Sequence, residues 1–340
     1  MAVDNRVVSP VIENNPPYPW QTSQWQALEE NQRQDRLHHA LLLAGKPGLG
    51  KLDFAYRWAK SLLCEHKRAC GHCKNCELIS AGTHPDFYEL LPEEPGKAIK
   101  IDQVRNLHEF IYKTSQLGGH RVALIAPAEA MNIASSNALL KSLEEPGAGT
   151  YLILVSDDPA QLLPTIKSRC QLISLSQPRP EEVSTWLQQQ GVDLQQQPAL
   201  LAASHHAPIR AKEFVGQGVL EKRQQAIKDW LSVILKQKGP VNTASDWFKQ
   251  DAFLLVGWLQ SWILDLLRIK AGQVGKIDNV DLQDELSKIV DSFSNNSLCL
   301  VSELLVRLHE DLLSSNNLNK QLLWEHFFIT CQQLAVSRST

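Results

Sequence analysis

The pattern of hydrophobic and polar positions changes once along the chain, near residue 178. Before that point, four short runs have the length and the apolar content of buried strands: residues 39–44, 87–91, 121–126 and 151–155. Three segments carry apolar residues at helical spacing: Leu52 to Leu63, a helix with Asp102 as its N-cap, and Ser135 to Glu145. Strands that alternate with helices in this way predict an α/β fold class, with a parallel sheet covered by helices on both faces.

After residue 180 the strand signals stop, and helical patterns continue to the end of the chain with a break at residues 216–218. One apolar stripe contains Trp258, Trp262 and Leu266, a spacing that is typical of a helix facing a core. We therefore expect two all-α domains after the α/β domain. The predicted bounds are a flexible leader over 1–17, the α/β domain over 18–178, a small helical lid over 179–220 and a C-terminal helical domain over 221–340.

Composition adds limits on size and charge. With 340 residues, 43% of them hydrophobic, the chain can bury more than one core. The net charge of −3 argues against a strongly basic nucleic-acid-binding protein, although it allows a local basic face. No apolar run reaches the roughly 18–20 residues of a membrane span, and residues 1–19 lack the pattern of a secretory signal. We expect a soluble, cytoplasmic protein that does not bind membranes.

The first candidate for chemistry is a phosphate-binding loop (P-loop) between the first strand and the helix after it. Residues 45–52 read Gly-Lys-Pro-Gly-Leu-Gly-Lys-Leu, and seven of the eight positions fit the pattern G-x-x-x-x-G-K-[ST]. Gly45, Gly48 and Gly50 allow backbone N–H groups to turn towards a phosphate, and Lys51 supplies a positive charge. Because the segment also has the order strand, loop, helix, it predicts a nucleotide-binding scaffold.

The groups that would bind Mg²⁺ in such a site are missing. The last position of the loop pattern requires a hydroxyl group, and Leu52 has none. In an active ATPase of this layout a neighbouring strand ends in acidic residues, whereas here the strand is followed by Ala126 and Pro127, with no carboxylate before Glu129. We therefore expect no metal-dependent hydrolysis at this site, while the retained Lys51 leaves nucleotide binding without Mg²⁺ open.

Four of the seven cysteines form a cluster with the spacing C-x5-C-x2-C-x2-C: Cys64, Cys70, Cys73 and Cys76. Four thiolates within thirteen residues can surround one tetrahedral ion, so the cluster predicts a structural Zn²⁺ site without an open position for catalysis. Iron–sulfur ligation is an alternative, because C-x2-C-x2-C occurs there as well, and free or redox-active thiols are another. The scattered cysteines are expected to fill core positions: Cys170, Cys299 and Cys331.

Two further segments resemble a known family. Residues 137–146 read Asn-Ala-Leu-Leu-Lys-Ser-Leu-Glu-Glu-Pro, and residues 164–170 read Pro-Thr-Ile-Lys-Ser-Arg-Cys. Together with the four-cysteine module directly after the P-loop helix, these segments resemble the bacterial clamp-loader AAA+ family of DNA polymerase III. The resemblance runs from about Tyr18 to the C-terminus, where residues 316–323 are similar to the closing helix of that family.

The resemblance implies a role for Arg169. In the family, the arginine of the Ser-Arg-Cys triplet is presented across a subunit interface to the γ-phosphate of ATP that a neighbouring subunit holds, as an arginine finger in trans. The acidic box of the family falls on Ala126 and Pro127, and members that lack both this box and the P-loop hydroxyl do not hydrolyse ATP themselves. Because this chain departs from the active members at the same two places, we expect partner subunits to hydrolyse the ATP. An ordinary surface arginine is the alternative interpretation of Arg169.

The partners implied by the resemblance are the gamma/tau ATPase subunits and the delta subunit of the clamp loader. They would form a hetero-oligomeric ring that loads the sliding clamp on primed DNA in replication, held together by a collar of C-terminal domains to which part of the tryptophan-rich surface would belong. Arg210 is the candidate for the family's nucleotide-sensing arginine, and an ordinary charged residue of a helix is the alternative interpretation. Asp157 and Asp158 stand where active members sense the γ-phosphate, and here we expect them to form a turn with Pro159.

Two other functions stay open on the sequence. An active P-loop ATPase of the gamma/tau type is favoured by the retained Lys51 and disfavoured by the missing Mg²⁺ ligands. A zinc-dependent DNA-binding module is disfavoured by the acidic balance of charge, and by a cysteine set that suffices for one ion only.

Overall fold

The computed structural model describes residues 17–94, 96–313 and 318–335. The chain divides into two compact units, the first ending at Val183 and the second beginning at Ser184. The elements up to this division are α1 (Thr22–Arg33), β1 (Ala40–Ala44), α2 (Lys51–Leu63), α3 (Lys74–Ser80), β2 (Phe87–Leu90), α4 (Ile101–Ile111), β3 (Arg121–Ile125), α5 (Ile133–Glu144), β4 (Thr150–Ser156), α6 (Pro164–Lys167) and β5 (Gln171–Ser174). Helix α7 (Pro180–Gln189) contains the division. The predicted leader lies outside the described residues except for Pro17.

The five strands of the first unit form one sheet in the order β2-β3-β4-β1-β5, and every neighbouring pair is parallel. Ala44 at the end of β1 lies opposite Ser156 at the end of β4, and Ile125 of β3 lies opposite Leu154. The loops that leave these three strands therefore start at the same edge of the sheet, which is where ligands bind in open parallel sheets.

Both faces of the sheet are buried, which explains the nearly continuous apolar runs in its strands. Leu41 and Leu43 of β1 pack with α1, α2 and α3, whereas Ala40 and Leu42 of the same strand pack with α4 and α5. This alternation follows from the two-residue period of a strand. The predicted fold class, a parallel sheet with helices on both faces followed by helices only, is confirmed.

Two details differ from the predictions. Helix α4 has Lys100 as its N-cap, not Asp102, because the Gln103 side chain accepts the Lys100 N–H at 2.9 Å and closes the helix end. Asp102 lies in the first turn instead, where a negative charge suits the positive end of the helix dipole. Strand β5 is not among the predicted strands, since its four residues alternate between half-buried and exposed at the edge of the sheet.

The described residues of the second unit form helices joined by turns and loops, with no strand among them. Its elements are α8 (Gln197–Ala203), α9 (Pro208–Phe214), α10 (Val219–Ile234), α11 (Pro240–Trp247), α12 (Ala252–Lys270), α13 (Gln283–Ile289), α14 (Asn295–Leu313) and α15 (Lys320–Leu334). The predicted break at 216–218 falls between α9 and α10. The predicted closing helix corresponds to α15. The predicted segment begins with Asn316 and Asn317, which lie outside the described residues.

Trp258, Trp262 and Leu266 are buried in the core of this unit, and Trp258 Nε1 donates to the Ala203 carbonyl oxygen at 2.9 Å. The interpretation of this stripe as core is therefore confirmed, and these three side chains are not available to an interface. The predicted domain bounds, including the division at residue 220, stay predictions. In the described part of the chain, no helix combines the length and the apolar character needed to span a membrane.

Candidate nucleotide and metal sites of the first unit

The P-loop has the backbone that its glycines predict. Gly48 and Gly50 have φ angles of 75° and 76°, in the left-handed region that favours glycine. A Cβ atom on Gly45 would lie 2.4 Å from the Leu175 carbonyl oxygen, so no larger residue fits between the loop and the end of β5. The loop leads directly into α2, of which Lys51 is the first residue. The phosphate-binding architecture is thus present in the backbone.

The Lys51 side chain is buried and bound by other groups of the chain. Only 3% of it is exposed, and Nζ donates to the carbonyl oxygens of Gly45 at 2.7 Å and Lys46 at 2.6 Å. Its third partner is the Asp157 carboxylate, with which it forms an ion pair. The positive charge that a P-loop offers to a phosphate is therefore neutralised by an acid of the same chain.

The position of Asp157 follows from the sheet. Asp157 comes directly after Ser156, and Ser156 lies opposite Ala44, which precedes Gly45. Glu129 Oε1 accepts the backbone N–H groups of Asp157 at 2.8 Å and Asp158 at 3.3 Å, which holds this loop in place. The expected turn forms at Asp158, whose Oδ1 accepts the Ala160 N–H at 3.1 Å. Asp157 lies in the bend before this turn, and its side chain also contacts Lys51, which the sequence did not predict.

The segment before α1 holds the loop from its other side. Trp20 Nε1 and Gln21 Nε2 donate to the Leu49 carbonyl oxygen at 3.0 and 2.8 Å, and Gln21 Nε2 also reaches the Gly50 carbonyl oxygen at 3.0 Å. The sequence did not single out these residues, since nothing local connects them to a loop nearly thirty positions later. They fix the P-loop in one conformation.

The side chains at the predicted Mg²⁺ positions provide no oxygen. Leu52 packs partly against the apolar core between α2 and the sheet, Ala126 is buried, and Pro127 is exposed. Glu129 Oε1 is bound to the backbone of the loop after β4, and its Oε2 is buried without a hydrogen-bond partner among the described residues. Leu52, Ala126 and Pro127 therefore offer no oxygen ligand from their side chains.

Arg169 lies between α6 and β5, with 33% of its side chain exposed. Nε donates to Glu144 Oε1 at 2.8 Å, Nη2 contacts the same oxygen, and Nη1 donates to the Thr165 carbonyl oxygen at 2.9 Å. Glu144 is the last residue of α5 and 49% of its side chain is exposed. No local pattern indicates this pairing across 25 positions. The guanidinium group is held at the surface rather than enclosed.

Two further residues singled out by the sequence are Arg210 and Cys170. Arg210 belongs to α9 of the second unit, and its guanidinium lies over the Phe214 ring at 5.8 Å from the centroid. Cys170 packs against the core between the sheet, α4 and α5, and burial raises its pKa to about 12. A thiol with such a pKa is inert at neutral pH, as expected for a core residue. Cys331 is buried as well, whereas Cys299 is exposed, so the expected core position is wrong for Cys299.

The four clustered cysteines converge at the end of α2. Cys64 follows the last residue of α2, Cys73 is the N-cap of α3, and Cys76 lies inside α3. The turn that brings Cys70 to them includes Gly71, whose φ angle is 82°. Residues 74–75, between Cys73 and Cys76, form the start of α3. All four Sγ atoms lie within 4.8 Å of one another, and three of the four residues are buried.

The distances between the sulfur atoms fit one tetrahedral ion. Cys70 and Cys76 Sγ are 4.0 Å apart, and Cys64 and Cys73 Sγ are 3.9 Å apart. Four sulfurs at about 2.3 Å from a zinc ion would be separated by about 3.8 Å. Burial opposes ionisation of Cys64, but the backbone N–H groups around it, of which that of Cys70 contributes most, lower its pKa to about 6. Burial and the neighbouring sulfurs raise the pKa of Cys76, so the cluster holds a low-pKa thiol beside a high-pKa one. The four cysteines can therefore bind a metal ion.

Known proteins resemble the chain over most of its length. Residues 20–179 match the family model described as "DNA polymerase III, delta subunit", and residues 217–333 match the model of its C-terminal part. The DNA polymerase III subunit delta′ of Pseudomonas aeruginosa is 38% identical, over 92% of this chain and 96% of that protein. The corresponding subunit of Escherichia coli is 30% identical, over 90% and 92%. That of Bacillus subtilis is 31% identical, over 88% and 92%.

Solved structures resemble the chain more distantly. A DNA polymerase III gamma subunit-related protein of Thermotoga maritima has a TM-score of 0.41 and 17% identity, over 90% of this chain and 99% of that one. The Holliday junction branch migration motor RuvB of Thermotoga maritima has a TM-score of 0.38 and 13% identity, over 82% and 90%.

Proposed function

Because the chain belongs to the family of DNA polymerase III delta′ subunits, we propose that it is the stator of a clamp loader. It would act in the cytoplasm in a ring with gamma/tau ATPase subunits and the delta subunit, which loads the sliding clamp on primed DNA. In this role it hydrolyses no ATP itself and supplies Arg169 to the ATP site of a neighbouring subunit. The contrast between Lys51, which is 3% exposed beside Asp157, and Arg169, which is 33% exposed beside Glu144, carries the proposal.

The absence of hydrolysis in the chain's own P-loop is supported by three separate deficits. No hydroxyl at Leu52 and no carboxylate at Ala126 or Pro127 is available to bind Mg²⁺. A phosphate approaching Lys51 would meet the Asp157 carboxylate and would have to displace it against the repulsion of two negative charges. Without Mg²⁺ and a free lysine charge, the site lacks the groups that neutralise charge during phosphoryl transfer.

The geometry of Arg169 suits a contribution to another subunit. A guanidinium carries five N–H donors, and its planar shape allows two of them to bind phosphate oxygens together. Glu144 contacts the Nε and Nη2 groups from one side, and Thr165 binds Nη1. The second N–H of Nη2 can therefore donate to a further acceptor. A positive charge placed there would neutralise the charge that develops on the γ-phosphate.

The remaining domains complete the proposal. The small helical lid over 179–220 and the C-terminal domain over 221–340 would join the neighbouring subunits, the latter as part of the collar. Arg210 is not assigned to nucleotide sensing, because its contact with Phe214 on the same helix accounts for its position.

The arginine finger is tested with Arg169→Ala in a reconstituted clamp loader. All ATPase subunits except the one that faces this chain carry an inactive P-loop, so that DNA-stimulated hydrolysis reports one site. Loss of an arginine finger lowers the rate by about 10³-fold or more, and we expect a fall of that order. The control is Arg179→Ala, an exposed arginine paired with Glu182 in the same unit. Unchanged turnover in Arg169→Ala would refute the assignment.

An active ATPase of the gamma/tau type is the second candidate, favoured by one observation: the P-loop backbone and Lys51 are both intact. If this were the function, the isolated chain would hydrolyse ATP steadily, and Lys51→Ala would abolish that activity. We expect no hydrolysis by the isolated chain above that of Lys51→Ala.

We also propose that the four cysteines bind structural Zn²⁺. The sulfur separations of 3.9 and 4.0 Å support a single ion, because in a four-iron cluster each thiolate binds a different iron and the sulfurs lie farther apart. Elemental analysis should find one zinc ion and no iron per chain. Cys73→Ser should release the zinc and unfold the loop after α2, whereas Cys299→Ser, an exposed cysteine of the second unit, should retain it. One iron or more per chain would contradict the zinc assignment.

A further inference from the structure

Two histidines lie next to the partly exposed cysteine of the four-cysteine site. One ligand atom each of His66, Cys70 and His72 lies within 4.8 Å of the others. Both histidines are exposed, and Cys70 is the one cysteine of the four that is not buried. The imidazole rings are 5.9 Å apart between centroids, with an angle of 35° between their planes. Three ligands of the kinds that zinc prefers thus meet at the surface.

The turn already orients these ligands. His72 Nδ1 is 2.9 Å from the Cys70 carbonyl oxygen, so the neutral ring donates from Nδ1 and keeps the lone pair of Nε2 for a metal. The backbone N–H of His66 donates to Cys64 Sγ at 3.4 Å, which holds the backbone of His66 beside the same site. A carbonyl oxygen that fixes the tautomer of a histidine is the usual support of a metal-binding imidazole.

The charge of the first site favours a second cation beside it. Four thiolates around one divalent ion carry a net charge of −2, and the Cys70 sulfur is the part of that charge nearest to solvent. A thiolate can bind two metal ions at once. Lys67 and Arg68 lie in the same turn and oppose a further positive charge, so the second ion should bind more weakly than the first.

We propose that His66 and His72, with Cys70 Sγ as a shared ligand, form a second, exchangeable site for a divalent ion of the zinc class at the rim of the four-cysteine site. The proposal rests on the structural zinc site proposed above. Nitrogen and sulfur ligands select Zn²⁺, Co²⁺ or Ni²⁺ over Mg²⁺ and Ca²⁺. Water completes the coordination, since the two imidazoles and the sulfur provide three ligands.

The test is a titration of the full chain, purified with one zinc ion, with Co²⁺. Elemental analysis should show one cobalt bound per chain while the zinc stays at one, and a thiolate-to-cobalt absorption band should report the contact with Cys70. We expect His66→Asn and His72→Asn each to weaken cobalt binding by at least about 10-fold, and the double variant to abolish it. His326→Asn, an exposed histidine of the second unit, should bind cobalt like the unchanged chain.

Each other result contradicts the proposal. If no cobalt binds at a saturating Co²⁺ concentration, the second site does not exist. If cobalt still binds when both histidines are substituted, the ion lies elsewhere. Absence of the thiolate band excludes Cys70 as a shared ligand. Loss of the first zinc ion in His66→Asn or His72→Asn would make the histidines ligands of the first site. If the purified chain contains no metal before the titration, the structural site itself fails, and the two failures are thereby distinguished.

Discussion

Lys51 of the P-loop and Arg169, the proposed arginine finger, are two cations of the first unit, and each is paired with an acid of its own chain. Lys51 is 3% exposed and Arg169 is 33% exposed. An ammonium group has three N–H donors, and Lys51 has three oxygen partners: two loop carbonyls and the Asp157 carboxylate. A guanidinium has five, and the contacts of Arg169 with the described residues use at most four.

The difference lies in the number of N–H donors that each cation has left for a further acceptor, since both cations have an acidic partner. Lys51 is saturated, and a phosphate could bind it only by breaking contacts that the fold already makes. Arg169 is held by Glu144 and Thr165 but keeps donor capacity towards solvent. This difference is what the proposed function requires: a P-loop lysine whose N–H donors are bound within its own chain, and an arginine with a donor left for an acceptor on another subunit.

The largest effect is expected at a third ion pair, between Asp86 and Arg121, which serves as the example of a pair that stabilises the fold. Asp86 and Arg121 are both buried, and Asp86 accepts hydrogen bonds from the Ser115 hydroxyl and from the backbone N–H groups of Gln116 and Leu117. Asp86→Asn leaves the Arg121 charge buried without its partner. We expect the free energy of unfolding, measured by urea denaturation, to fall by about 3–5 kcal/mol.

The pH dependence provides the control for this prediction. Burial raises the pKa of Asp86, but the two backbone N–H groups, the Ser115 hydroxyl and Arg121 together lower it below its ordinary value. A carboxyl group with a lowered pKa contributes stability above its unfolded pKa of about 3.9, and this contribution is lost as the pH falls through the folded pKa. The unchanged chain should therefore lose stability below about pH 4, and Asp86→Asn should lose less there. Equal acid sensitivity in both proteins would contradict a structural role of the Asp86 charge.

The second prediction separates the charge of Arg169 from its shape. Arg169→Lys keeps a positive charge but replaces the planar, five-donor group with an ammonium group that cannot bind two phosphate oxygens side by side. In the assembly with one active neighbouring site, we expect ATP turnover to fall by about 10²-fold. Arg179→Lys is the matched control. Full activity of Arg169→Lys would mean that charge alone matters, and that donor number does not distinguish Arg169 from Lys51.

Much of the first unit could be predicted from the sequence, because its strands are buried on both faces and its loops carry strong local signals. The four-cysteine cluster and the missing Mg²⁺ ligands are local as well. Asp157 and Glu144 were not recognised as the partners of Lys51 and Arg169, since their contacts span 106 and 25 positions. Only the register of β1 against β4, which places Ser156 opposite Ala44, brings Asp157 to the P-loop. Such pairings depend on tertiary structure, and the local pattern of the sequence does not predict them.

The third prediction concerns the ion pair between Lys51 and Asp157 in the P-loop. Asp157→Ala removes the acid from Lys51 and leaves one of its three donors for a phosphate. We expect the isolated chain to bind ADP at least about 10-fold more tightly than before, as one charge-assisted hydrogen bond is worth about 1.5–3 kcal/mol. Because the Mg²⁺ ligands are still missing, the affinity should not depend on Mg²⁺. Calorimetry measures both quantities, and Asp158→Ala, the next residue, is the control. No gain in affinity would show that the loop held by Trp20 and Gln21, rather than the acid, excludes the nucleotide.

The smallest effect is expected from Glu144→Gln, the corresponding change at Arg169. Both partners of this pair are exposed by a third or more, and such pairs contribute about 0–1 kcal/mol. The glutamine can still accept a hydrogen bond, so Arg169 keeps its place with less order. Turnover at the neighbouring site should fall by about 2- to 5-fold, with the stability of the chain unchanged, and Glu145→Gln should have no effect. A loss as large as that of Arg169→Lys would make Glu144 essential for presenting the arginine. Asp157→Ala and Glu144→Gln each remove the charge of an acidic partner. A clear gain in ADP affinity in the first and only a small loss of turnover in the second would show that Lys51 and Arg169 differ in whether their N–H donors are all occupied.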